Sequence, residues 1–136
     1  MLSDHLAMPC LAVRDLDRAR QFYEGTLGFR PADVPGTDDG IMGVVYATKD
    51  GGMLVYPSQF AGTNQATAVS FSIADEAFDA EVAALRAAGL TFQTFELPTG
   101  TWEDGVLVDG PMRSVWFADP DGNVLNVESI RVAAAV

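Results

Sequence analysis

Along Ala68-Val69-Ser70-Phe71-Ser72-Ile73, small or polar residues alternate with large apolar ones, and a period of two marks a strand with one packed face. The period then lengthens. Phe78, Val82 and Leu85 recur at helical spacing behind Asp75, a candidate N-cap, and Gly89 is positioned to stop the helix. The same succession stands 60 positions earlier: Asp15, then Leu16, Ala19, Phe22, Tyr23 and Leu27 on one helical face, then Gly28. A hairpin pattern follows each helix pattern. Val45 to Val55, through Asp50-Gly51, and Trp116 to Asn126, through Asp119-Pro120-Asp121-Gly122, both read apolar strand, Asp-Gly turn, apolar strand.

The pattern predicts an internal repeat, each copy being a strand, a helix and two or three further strands. We place module one at about residues 1–63 and module two at about 64–136, with the boundary in the turn-rich Phe60-Ala61-Gly62-Thr63-Asn64-Gln65. Composition leaves this picture intact, since 136 residues at 49% hydrophobic and 20% charged suit one globular domain, 1–136. No stretch has the length of a membrane span or the layout of a signal peptide, so no membrane association is expected and the expected location is the cytoplasm. A net charge of -11, with eight Lys and Arg, repels phosphates and argues against nucleic acid as a partner; the charge either selects a cationic ligand or simply keeps the chain soluble. Cys10, the lone cysteine, excludes an internal disulfide and a cysteine-based zinc site. With no histidine placed to activate it, Cys10 reads as a small buried hydrophobe.

Two stretches, AVRDLDRARQFYEGTLGF from Ala12 and WFADPDGNVLNVE from Trp116, resemble the signatures of the vicinal-oxygen-chelate superfamily. Glyoxalases, extradiol dioxygenases and bleomycin-resistance proteins belong to it. The resemblance implies an α+β fold of two pseudo-symmetric βαβββ modules, with mixed, mainly antiparallel sheets curling around a cavity that a homodimer commonly completes. In the family's metal enzymes a ligand, usually His, stands seven residues before the Asp that opens the helix, and here those positions hold Met8 and Ala68. The second ligand, usually Glu, follows the turn by four residues, and here those positions hold Asn126 and, counted from Asp50-Gly51, Val55. A thioether, two alkyl groups and a neutral amide do not hold Mg, Mn, Fe(II), Ni or Zn, so no metal and no other cofactor is expected. His5 lies three residues before Met8, and strand alternation turns it to the opposite face. Glu96, Glu103, Asp104 and Asp109 fall in a run that reads as a solvated loop without ligand spacing.

Residues alternating with these positions share their face. Met8, Cys10 and Ala12 are therefore expected on the cavity side, with Leu11 and Val13 toward the helix; Ala68, Ser70 and Ser72 likewise, with Val69, Phe71 and Ile73 turned away. Counting from Asp50-Gly51 adds Tyr46 and Met53 beside Val55. A four-residue turn at Asp119–Gly122 pairs Val115 with Asn126 and Arg113 with Glu128, an ion pair on the cavity face, whereas a slip of one residue puts Trp116 there instead. Asn126 either meets a ligand or is satisfied by neighbouring backbone. Trp102, between Gly100 and Gly105, is either a lid that stacks on a planar ligand, its acidic neighbours Glu103 and Asp104 favouring a cation, or the anchor of its own loop.

Two functions fit these residues. One is a metal-independent binding protein that sequesters a planar or cationic small molecule, as bleomycin-resistance proteins do. The other is a metal-independent enzyme, a lyase or isomerase in type, with Arg113, Glu128, Tyr46 and the serines moving a proton or polarising a carbonyl. No carboxylate and histidine pair is identifiable, so no catalytic residue is assigned and binding ranks first.

Overall fold

The computed structural model describes residues 1–4, 8–32 and 43–130; His5 lies outside them. The chain divides into two compact units, one running to Ala68 and including the turn Asp119–Asn123, the other comprising Val69–Ala118 and the residues from Val124 on.

In the first unit β1 (Cys10–Val13) leads into α1 (Leu16–Arg20), which continues as a π-helical turn over Gln21–Thr26. Asp15 caps the helix, its carboxylate accepting from the Arg18 amide at 3.1 Å. Gly28, at φ 77°, provides the left-handed residue that ends it. β2 (Val44–Ala47) and β3 (Gly52–Pro57) complete a sheet of order β1-β3-β2, with β1 parallel and β2 antiparallel to β3. Leu11, Val13, Tyr46, Met53 and Val55 are buried on one face of it, and Tyr23 of the π turn stacks on Tyr46 with ring centroids 5.7 Å apart. The Asp119–Asn123 turn is held by one carboxylate. Asp119 accepts from the amides of Asp121 and Asn123, from the Asn123 side chain and from the buried Tyr23 hydroxyl, all within 2.8–2.9 Å.

The second unit begins within β4 (Thr67–Ser72) and contains α2 (Asp75–Ala87), β5 (Thr101–Glu103), β6 (Val106–Asp109), β7 (Met112–Ala118) and β8 (Val124–Ile130). Its sheet has the order β4-β8-β7-β6-β5, and β5 to β8 form an antiparallel meander. Phe78, Val82 and Leu85 are the buried face of α2, as their spacing predicts, and Gly89 ends it at φ 91°. The repeat extends to single bonds. Ala32, four residues past Gly28, donates its amide to Val45 O, and Gln93, four past Gly89, donates to Trp116 O, each at 2.7 Å.

Three expectations are corrected. Asp75 does not cap α2: the N-cap is Ala74, and the Asp75 carboxylate instead accepts from Arg113 and from the Ser129 hydroxyl at 3.0 Å. The stretch holding Trp102 and Glu103 is not a loop but the β5–β6 hairpin, closed by Asp104-Gly105 with φ of 51° and 78°, the two positive angles a tight hairpin turn requires. Cys10 is exposed rather than buried, because it lies on the face of β1 away from α1.

Candidate functional site

Directly paired residues on neighbouring strands share a face, so the registers decide what stands together. In the β7–β8 hairpin Ala118 pairs with Val124, Trp116 with Asn126 and Ser114 with Glu128. The turn is thus five residues long, one more than a four-residue reading of Asp119–Gly122, because Asp119 also captures the Asn123 amide and side chain. The one-residue slip is realised, and it exchanges Arg113 for Trp116. Arg113 pairs with Ser129 and points at α2, where its guanidinium meets Asp75 at 3.0 Å and Asp79 at 2.7 Å and lies 4.5 Å over the Phe78 ring. Burial alone would lower the Arg113 pKa; the hydrogen bonds its guanidinium donates to Asp75 and Asp79 outweigh it and raise it. No cross-strand pair forms between Arg113 and Glu128.

The face of the five-stranded sheet opposite α2 carries the other second-module candidates. Ser72, Glu128, Ser114, Leu107 and Trp102 form one row across the strands, and Ser70, Asn126 and Trp116 the next. Ala68 precedes Ser70 on that face by strand alternation. Ser70 and Ser72 are exposed, and Ser72 Oγ donates to Glu128 Oε1 at 3.0 Å. Asn126 is buried with both ends of its amide engaged: Oδ1 accepts from Ser70 Oγ at 2.9 Å while Nδ2 donates to Val115 O at 3.1 Å. Trp102 is neither a free lid nor a simple loop anchor. Its Nε1 donates to Phe95 O at 3.0 Å, and Phe95, Trp102 and Trp116 pack edge to face with centroids 4.9–5.9 Å apart. Sequence reasoning missed Phe95, Ser114 and Leu107; the Asp104-Gly105 pair, a hairpin signal, would have aligned Trp102 with Leu107 and so with this face.

In the first unit Leu11 and Val13 turn toward α1 as expected, but Tyr46, Met53 and Val55 do too. The turn Thr48–Gly51 has four residues, one fewer than Asp119–Asn123, so counting from the Asp-Gly pair lands one position too far. The strand position matching Asn126 is Leu54, which pairs with Cys10 on the opposite face. The buried Tyr46 hydroxyl donates to Glu24 at 2.9 Å; burial, then Glu24, raises its pKa. Arg20 holds the Glu24 carboxyl below the usual range, with Tyr46 contributing a further hydrogen bond. Met8 is 44% exposed and supplies a thioether only. Two shallow recesses, one of about 500 Å³ beside Arg14, Pro57, Ser58 and Gln59 and one of about 280 Å³ beside Arg86, Phe92 and Asp104, contain none of the predicted site residues. Among the described residues no group of three or more His, Cys, Asp or Glu side chains is placed to hold a metal ion, and no helix is long and apolar enough to cross a membrane.

Two modules, each running strand, helix and strands around an Asp-Gly hairpin, define a paired-module α+β protein. The family model of the Glyoxalase/Bleomycin resistance protein/Dioxygenase superfamily matches residues 3–127, and the chain belongs to that superfamily. Solved structures share the fold. An integron cassette protein from the mobile metagenome of the Halifax Harbour sewage outfall is 20% identical over 93% of this chain and 98% of its own, with a TM-score of 0.64. The fosfomycin resistance protein FosX from Mesorhizobium loti is 20% identical over 93% and 92%, with a TM-score of 0.60. A glyoxalase/dioxygenase from Nostoc punctiforme is 20% identical over 90% and 88%, with a TM-score of 0.63. A comparison with curated proteins finds no match.

Proposed function

We propose that the chain is a metal-independent small-molecule-binding protein whose ligand lies on the face of the five-stranded sheet opposite α2. The carrying observation is the juxtaposition there of two half-buried indoles with the hydroxyls of Ser70 and Ser72 and the carboxylate of Glu128. Flat aromatic surface beside a few polar groups is the usual make-up of a ligand site. The resistance name carried by the FosX neighbour agrees with the handling of a small molecule.

The metal that the family's enzymes use does not fit this chain. Met8, Leu54 and Ala68 offer no hard donor, and the Asn126 amide is committed on both sides, with its NH2 group turned to a backbone carbonyl. The enzymatic alternative loses support with the placement of Arg113 and Tyr46, both turned to helices; of that set Glu128 and the serines remain on the proposed ligand face. A homodimer in the cytoplasm belongs to the same reading, and light scattering should show twice the 14.5 kDa chain mass.

A thermal-shift screen of planar compounds, run with and without a chelator, tests the proposal. Hits should raise the transition equally in both, and Ni, Zn, Mn or Fe(II) alone should produce no shift. One metal per chain by elemental analysis, or a ligand shift abolished by chelation, overturns it.

A further inference from the structure

On the proposed ligand face the sole carboxylate in the Ser72–Trp102 row is Glu128, and it lacks the arginine partner that three other half-buried or buried acids have. Asp75 has Arg113, Glu24 has Arg20, and the buried Asp121 has Arg14 and Arg18. Glu128 is half-buried, accepts one hydrogen bond from Ser72, and has no cation within ion-pair distance among the described residues. The arginine that a shifted register would place opposite it is bound to α2 on the other face. A partly desolvated carboxylate without a counter-ion costs free energy that a bound cation recovers.

Resting on that reading of the face, we propose that Glu128 is the counter-ion for a protonated amine carried by a planar aromatic ligand, with the ring against Trp116. The registers set the spacing. Trp116 pairs with Asn126, two residues before Glu128 on the same strand, so indole and carboxylate are diagonal neighbours, about 7–8 Å apart at Cα. A ring on the indole thus places a directly attached or once-removed amino group at the carboxylate, where a charge-assisted hydrogen bond forms. Ser70 and Ser72, exposed beside it, supply hydroxyls to the ligand's other polar groups. The ligand class is therefore a cationic aromatic amine, not an anion and not a neutral polycycle.

The test uses proflavine, a planar cation at mildly alkaline pH, and acridine, its neutral parent, titrated into the intact protein by fluorescence. Proflavine should bind at least about tenfold more tightly than acridine. Glu128→Gln retains the acceptor for Ser72 and should bring the ratio to about one by weakening proflavine alone. Glu103→Gln removes the same unit of charge from an exposed site and should leave the ratio unchanged. Equal affinities in the native protein, or equal losses in the two variants, overturn the counter-ion role while the ligand face stands. Binding of neither dye overturns the ligand face, and the counter-ion role with it.

Discussion

Replacing Trp102 by alanine separates a free lid from a packed element. A lid would leave folding almost untouched, but Trp102 sits in β5 with one hydrogen bond and two aromatic neighbours. Half of an indole's ~200 Å² leaving contact corresponds to ~2.5 kcal/mol at ~25 cal/mol per Å². The lost bond to Phe95 O adds about 1 kcal/mol, and relaxation of Phe95 and Trp116 into the gap returns part of the total. Trp102→Ala should therefore cost about 3 kcal/mol in urea unfolding followed by far-ultraviolet circular dichroism. Trp102→Phe, which keeps a ring and loses the donor, should cost about 1 kcal/mol. A double-mutant cycle with Trp116→Ala should show a coupling of about 1 kcal/mol, since the two rings touch. Stability of Trp102→Ala within about 0.5 kcal/mol of the native protein, together with zero coupling, refutes the packed cluster.

Asp119→Ala should be far more damaging than Tyr23→Phe, by about 3–5 against about 1–2 kcal/mol in the same assay, because the carboxylate satisfies four donors and the phenol only one acceptor. Asn126→Asp should destabilise by about 3 kcal/mol at neutral pH, since it sets a buried charge against Val115 O; stability should recover on acidification as the new carboxyl gains a proton to donate. At alkaline pH stability should fall from the ordinary tyrosine value of 10.0 upward. Burial followed by Asp119 keeps the Tyr23 phenol protonated in the fold, and burial followed by Glu24 does so for Tyr46. The unfolded chain releases these protons first, so urea midpoints are flat below that value and decline above it, less steeply in Tyr46→Phe.

The repeat was legible because its punctuation is local: Asp15, Gly28, Gly89 and the paired Asp-Gly turns each fix a backbone conformation within a few residues. The α2-free face of β4 was legible for the same reason, as Ser70 and Ser72 alternate with Val69 and Phe71. Register was not legible. It depends on whether Asn123 belongs to the turn or the strand, which Asp119 decides through side-chain hydrogen bonds that no periodicity records. In β3 both faces are apolar, with Met53 and Val55 on one and Leu54 and Tyr56 on the other, so a miscount of one left no contradiction to notice. Asp75 fits the N-cap pattern yet serves Arg113 and Ser129, a use visible only when β7 and β8 are laid beside α2.

Whether a ligand occupies the α2-free face of the five-stranded sheet can be read from the indoles themselves. The chain has two tryptophans, so a proton–nitrogen correlation spectrum shows two indole N–H signals, and both belong to this face. On titration of the labelled protein with a thermal-shift hit, both indole signals and the Asn126 side-chain amide should move together and saturate at one ligand per chain. Saturating shifts confined to residues of the first sheet, with both indoles and Asn126 unmoved, would contradict it.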